Sequence, residues 1–198
     1  MKSIKDIFNV DFSNYIKEVE ELNDRIRKEL GSDFQYALTE DKRVILYVLI
    51  RYFNPDIVIE TGVGPGASTA IILSALNRGV LYSIDPRQVL ENNKPIGFLV
   101  PNNLRSRWKL HIGTSREMLP KILSEVGKVD VFLHDSEHTY ENVMFELNEV
   151  WNYLRKGGLI LIDNFEWSEA PYHFTRQKGV NLYKLSDKAG GFAMIIKP

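Results

Sequence analysis

The chain has 198 residues, the size of one domain and enough to bury a full core. With 25 basic and 26 acidic residues its net charge is −1, which gives no electrostatic reason to expect nucleic acid or an anionic membrane as partner. Cysteine is absent, so disulfides, thiolate zinc sites and thiol catalysis are excluded.

The N-terminal stretch MKSIKDIFNVDFSNY holds no long apolar run, so neither a signal peptide nor a membrane span is expected, and the cytoplasm is the expected compartment. Phe12, Tyr15, Ile16, Val19, Leu22, Ile26 and Leu30 recur at spacings of three and four, which predicts a helix ended by Gly31. A second helix is predicted after Thr39, whose hydroxyl can cap a first turn carrying Glu40 and Asp41. Its expected apolar face is Val44, Ile45, Val48, Leu49 and Tyr52, and Asn54-Pro55 stops it. From there the pattern changes to short apolar runs at 56–60, 80–85, 108–112, 129–134 and 159–163, alternating with helical stretches such as 68–76 and 143–154. Nearly continuous Val, Ile and Leu runs are what strands buried on both faces look like, and the alternation implies a parallel sheet covered by helices. Two last runs, 181–185 and 192–196, flank the turn-rich Ser186–Gly191 stretch and predict an antiparallel hairpin. The expected architecture is one α/β domain over 1–198, divided into an N-terminal helical cap (1–54) and a core (55–198).

In an open α/β sheet, ligands bind beyond the carboxyl ends of the strands, so the residues following each strand carry the chemistry. The first strand runs into Glu60-Thr61-Gly62-Val63-Gly64-Pro65-Gly66-Ala67-Ser68, a glycine turn opening a helix, suited to close approach of a ligand's anionic group. The second ends in Asp85, whose carboxylate can accept both hydroxyls of a ribose. The third is followed by Gly113-Thr114-Ser115, which reads either as a polar rim for adenine or as a helix cap. The fourth and fifth end in Asp135 and in Asp163-Asn164, a hard oxygen set suited to magnesium or a similar cation, although strand-end Asp residues also cap helices. His138, three residues past Asp135, can act as a general base near neutral pH or lie solvated in its loop. Glu166 and Trp167 fall on the substrate side without a spacing that assigns a role. Arg105, Arg107 and Lys109 read as a solvated loop edge.

Together, Glu60-x-Gly-x-Gly-x-Gly, Asp85, Gly113-Thr-Ser, Asp135 and Asp163-Asn164 resemble the class I S-adenosylmethionine-dependent methyltransferases, over about residues 58–196. The stretch VDVFLHDSEHTYENV followed by GGLILIDN is similar to small-molecule O-methyltransferases of the catechol and caffeoyl-CoA type. It is similar also to bacterial relatives grouped with cephalosporin-hydroxylase-like proteins, whose Asp-x-x-His-x-Tyr loop is filled here by Asp135, His138 and Tyr140. Gly190-Gly191-Phe192 matches that group's closing hairpin. The resemblance implies a Rossmann-like, seven-stranded, mostly parallel sheet with an antiparallel last strand, helices on both faces and extra N-terminal helices. It implies S-adenosyl-L-methionine held by Glu60, Gly62, Gly64, Gly66 and Ser68 at the methionine end, by Asp85 at the ribose and by Gly113, Thr114 and Ser115 at the adenine, with Asp135 beside it. Asp135, Asp163 and Asn164 match metal ligands for Mg2+ or another divalent cation, and Asp135 with His138 forms the expected catalytic pair. The catechol-type enzymes carry a lysine base where this chain has His138, which leaves catechol itself unsupported as substrate.

The implied reaction is metal-assisted methyl transfer to a hydroxyl of a small-molecule acceptor, with no nucleic acid or membrane partner and with a homodimer left open. Two alternatives stand beside it. The glycine turn with Asp85 also suits an NAD-type oxidoreductase, which the terminal hairpin and the lack of a Tyr-x-x-x-Lys set oppose. The other is a methyltransferase-like domain without catalysis.

Overall fold

The structure is a computed structural model describing residues 4–91 and 93–198, so the first three residues of the expected cap lie outside it. The chain begins with α1 (Ile4–Phe8), α2 (Ser13–Leu30) and α3 (Glu40–Phe53). α2 buries Val19 and Ile26 from the expected stripe, and Gly31 ends it with its N–H donating to the Arg27 carbonyl. Thr39 occupies the N-cap of α3, but its hydroxyl donates to the Asp41 carboxylate at 2.7 Å rather than capping the backbone.

The buried face of α3 differs from the expected one. Lys42, Arg43, Leu46, Tyr47, Val48, Leu49 and Ile50 are buried, whereas Val44 and Ile45 are only partly so and Tyr52 is exposed. The reason is that α3 is wedged between α2 and α4 (Ala67–Ala75), so more than one stripe is covered. The buried cations are paired: Arg43 donates to the Asn23 side-chain oxygen and to the Leu38 carbonyl, both at 2.7 Å. Burying a guanidinium is tolerable only with such partners.

The remaining elements are β1 (Ile57–Thr61), β2 (Val80–Asp85), β3 (Trp108–Ile112), α5 (Ser115–Val126), β4 (Val129–His134), α6 (Tyr140–Tyr153), β5 (Leu154–Asp163), α7 (Ala170–Lys178), β6 (Leu182–Ser186) and β7 (Phe192–Ile196). They form one seven-stranded sheet in the order β3-β2-β1-β4-β5-β7-β6. β1 to β5 are mutually parallel, and β7 runs antiparallel to both of its neighbours. β5 starts five residues before the apolar run at 159, because Leu154 already pairs with Val129, and extra β5 residues bulge out before Leu159 pairs with Val131.

Side chains alternate across the sheet with period two. Val58, Leu81, Val131, Leu133, Leu159 and Leu161 pack with α2, α3 and α4 on one face, while Ile59, Phe132, Ile160 and Ile162 meet α5, α6 and α7 on the other. Arg107, expected at a solvated edge, instead donates to the Leu73 and Leu76 carbonyls and so caps the end of α4. Among the described residues, no helix is long and apolar enough to cross a membrane.

Candidate functional site

A cavity of about 470 Å³ opens at the carboxyl ends of β1, β2, β4 and β5. That size falls in the range of small-molecule sites. The glycine turn after β1 forms one wall. Gly62 has φ +85°, and a Cβ there would stand 1.9 Å from the Asp135 carbonyl oxygen, so only glycine lets β1 and β4 leave the sheet side by side. Gly66, at φ +91° in the cap position of α4, backs onto Gly97 with no room for a side chain, while Gly64 lies beneath the ring of Tyr36. Glu60 does not face this cavity. Its fully buried carboxylate accepts hydrogen bonds from the hydroxyls of Ser68, Thr69 (2.8 Å) and Ser83 (2.8 Å), tying β1, α4 and β2 together beneath the turn. Burial pushes its pKa up to about 7 against the lowering effect of those hydroxyls.

Asp85 closes the opposite wall at the end of β2. One carboxylate oxygen accepts the backbone N–H groups of Val63 (3.0 Å) and Gly64 (3.1 Å), and the other accepts the Arg87 N–H and guanidinium. Burial alone would raise its pKa, but these donors outweigh it and hold the carboxyl below its ordinary value. Arg87 lies 5.9 Å from the centre of the Tyr36 ring, so the two side chains cover Asp85 from the solvent side. A second cavity of about 190 Å³ shares Pro86, Ser136 and Glu137 with the first and reaches Thr114 and Ser115. Thr114 is occupied in a reciprocal capping box with Glu117 at the start of α5, and Ser115 donates to the Asn142 side-chain oxygen at 3.1 Å. Gly113 abuts Met118.

The fourth strand delivers a network that sequence spacing did not disclose. His134, fully buried, has Nδ1 2.7 Å from Glu146 and Nε2 3.2 Å from Nδ1 of His138. The other Nε2, that of His138, lies 3.3 Å from the side-chain nitrogen of Asn164. The Asn164 oxygen accepts from Lys42, so its amide nitrogen must donate to His138. His138 then carries its proton on Nδ1 and donates to His134, which donates to Glu146. Glu146 also accepts from Thr61, Ser136 and Asn142, and these donors with His134 hold its carboxyl below the usual value despite burial. Burial, the largest influence, lowers the His138 pKa to about 4, so its imidazole is neutral at physiological pH. Its ring meets Trp167 edge-on, with centres 5.2 Å apart at the cavity mouth.

Asp135, Asp163 and Asn164 do converge, but around a side chain. The Lys42 Nζ, on a residue 1% exposed, donates to Asp163 Oδ1 at 2.6 Å, the Ala189 carbonyl at 2.8 Å and Asn164 Oδ1 at 3.3 Å. Asp135 is hydrogen-bonded to Asp163, and burial followed by the Asp163 and Glu60 charges raises its carboxyl well above the ordinary range. Asp163 is raised as well, by burial, with Lys42 opposing. Two of the three expected ligands, Asp163 and Asn164, thus accept from the ammonium, which takes the Ala189 carbonyl as its third acceptor, while Asp135 is engaged with Asp163. This donor set does not fit such an ion in addition to Lys42. Among the described residues no group of three or more His, Asp or Glu side chains is placed to hold a metal.

Lys42, His134 and Glu146 are the site residues that sequence reasoning missed. Their signal was a charged or polar residue on an apolar stripe: Lys42 is spaced four and seven from Leu46 and Leu49, and Glu146 sits between Val143 and Val150.

A family model described as a methyltransferase domain matches residues 59–165. No curated protein matches the chain. Among solved structures, the chain is similar to a methyltransferase from Geobacter sulfurreducens, at 19% identity over 91% of this chain and 90% of that one, with a TM-score of 0.67. It is similar also to an O-methyltransferase from Bacillus cereus in complex with SAH (15% identity, 98% and 95% covered, TM-score 0.62). A third similar structure is the SAH-bound methyltransferase PaMTH1 of Podospora anserina (13% identity, 93% and 88% covered, TM-score 0.63). These likenesses agree with the strand order, whose β7 insertion departs from the 3-2-1-4-5-6 order of dinucleotide-binding sheets and so weighs against the NAD reading.

Proposed function

We propose an O-methyltransferase for a small-molecule hydroxyl, on the premise that this chain belongs to the class I S-adenosylmethionine-dependent methyltransferases. The observation that carries the proposal is His138. It is a neutral imidazole on the cavity wall, fixed in one tautomer by Asn164 on one side and by His134 with Glu146 on the other.

The turn at Gly62 and Gly64 and the carboxylate of Asp85 make a cradle that fits the cofactor, because glycine backbone without side chains and a strand-end carboxylate line the same cavity end. When bound, S-adenosyl-L-methionine supplies an electrophilic methyl group. Asp85 would accept the ribose hydroxyls once Arg87 swings off it, and Ser115 would border the adenine in the adjoining cavity. His138 Nε2 takes the acceptor's proton, leaving the Asn164 amide. A base with a pKa near 4 is weak, yet an oxygen forming a bond to a methyl group becomes a far stronger acid than the free alcohol, so a weak base suffices. The exposed Trp167 and Tyr36 at the mouth offer apolar surface to the acceptor. That the similar Bacillus cereus protein is an O-methyltransferase supports the choice of oxygen as nucleophile.

The test is transfer of labelled methyl from the cofactor to a panel of phenols, alcohols and amines, repeated with His138→Ala. Loss of about 10²- to 10⁴-fold in kcat, the usual contribution of a general base, with little change in cofactor KM is expected. Full activity in His138→Ala, or transfer only to amine acceptors, would reject the reading.

A further inference from the structure

We infer that the ammonium of Lys42 is a built-in cation that takes the place of a divalent metal at the ends of β4 and β5. Its Nζ donates to three oxygens, those of Asp163 and Asn164, which are two of the three expected metal ligands, and the carbonyl of Ala189 on the β6–β7 turn. Lys42 and Asp163 are both nearly inaccessible, at 1% and 3% side-chain exposure, so the pair is part of the folded core and not a surface contact that an ion would easily displace. The position is set by α3, whose Asp41 is itself anchored by a 2.6 Å hydrogen bond from Ser186 of β6. Moving the ammonium out would therefore require moving the first turn of a helix packed against α2 and α4.

The consequence for the acceptor rests on the methyltransferase reading above. A metal with open coordination positions favours acceptors with two neighbouring oxygens, which chelate it. An ammonium whose hydrogens are all engaged offers no such preference, so an acceptor with a single hydroxyl is as good a substrate as the corresponding vicinal diol.

Titration calorimetry of the whole chain with Mn2+ alone tests the cation itself and does not depend on methyl transfer. Wild-type protein should give no saturable heat, and EDTA should leave its Tm unchanged. Lys42→Ala, which leaves the Asp163, Asn164 and Ala189 oxygens without their cation, should gain Mn2+ binding and a Tm raised by the ion. Stoichiometric Mn2+ uptake by the wild type that is lost in Asp163→Asn would overturn the inference, as would a folded Lys42→Ala with no affinity for Mn2+. If Lys42→Ala does not fold, the wild-type titration and the EDTA response decide alone. A chain that transfers no methyl group at all would remove the acceptor corollary and leave these outcomes intact.

Discussion

Glu60 shows how one residue type can serve a purpose its motif does not announce. It opens the glycine motif and was expected at the methionine end of the cofactor, yet three hydroxyls beneath the turn take its carboxylate. Its pKa of about 7 exceeds the ordinary value of 4.5, so the folded protein holds this proton more firmly than the unfolded chain. The stabilisation is fully present below pH 4.5 and drains away as pH rises through about 7, at a cost of up to about 3 kcal/mol. Denaturant unfolding between pH 5 and 8 should show this decline, and Glu60→Gln, which cannot ionise, should flatten it. An unchanged pH slope in Glu60→Gln would place the responsible group elsewhere. Gly62 allows a sharper residue-level test. Gly62→Ala puts a methyl group against the Asp135 carbonyl at a positive φ, and should cost at least about 2 kcal/mol in unfolding free energy and abolish cofactor binding.

At the scale of elements, β2 and β4 were legible because buried parallel strands advertise themselves as Val, Ile and Leu runs, and the edge strand β3 and the antiparallel β7 also lie where the sequence predicted them. What was not legible was α3. A period of 3.6 locates a helix but not how many of its sides are covered, and burial between α2 and α4 turned Lys42 and Arg43 inward. The strand-end acids were legible as a convergent group. Their partner was not, since 121 residues separate Lys42 from Asp163. The same limit hid the His134–Glu146 pair, formed between β4 and α6. α5 shows a local signal that did survive folding: Thr114-x-x-Glu117 makes a complete capping box. Thr114→Ala should cost about 1 kcal/mol, read as a Tm lower by about 2–4 °C, without altering the acceptor side of the cavity.

For the molecule as a whole, the fold brings three long-range pieces to one end of the sheet. The β1–α4 turn and the end of β2 supply the glycines and Asp85, the β4–α6 unit supplies the histidine network, and the N-terminal α3 supplies the cation. The N-terminal helices are thus structural partners of the site, because Thr39, Lys42 and Tyr36 all line its cavity. The central claim is that this cavity receives S-adenosyl-L-methionine and does so without a metal. The most direct measurement is calorimetric titration of the purified chain with S-adenosylhomocysteine and, separately, with NADH, each in EDTA and in magnesium. The account predicts saturable binding of S-adenosylhomocysteine with the same affinity in both buffers and no heat from NADH. Binding of NADH, or S-adenosylhomocysteine binding that appears only with magnesium, would contradict it.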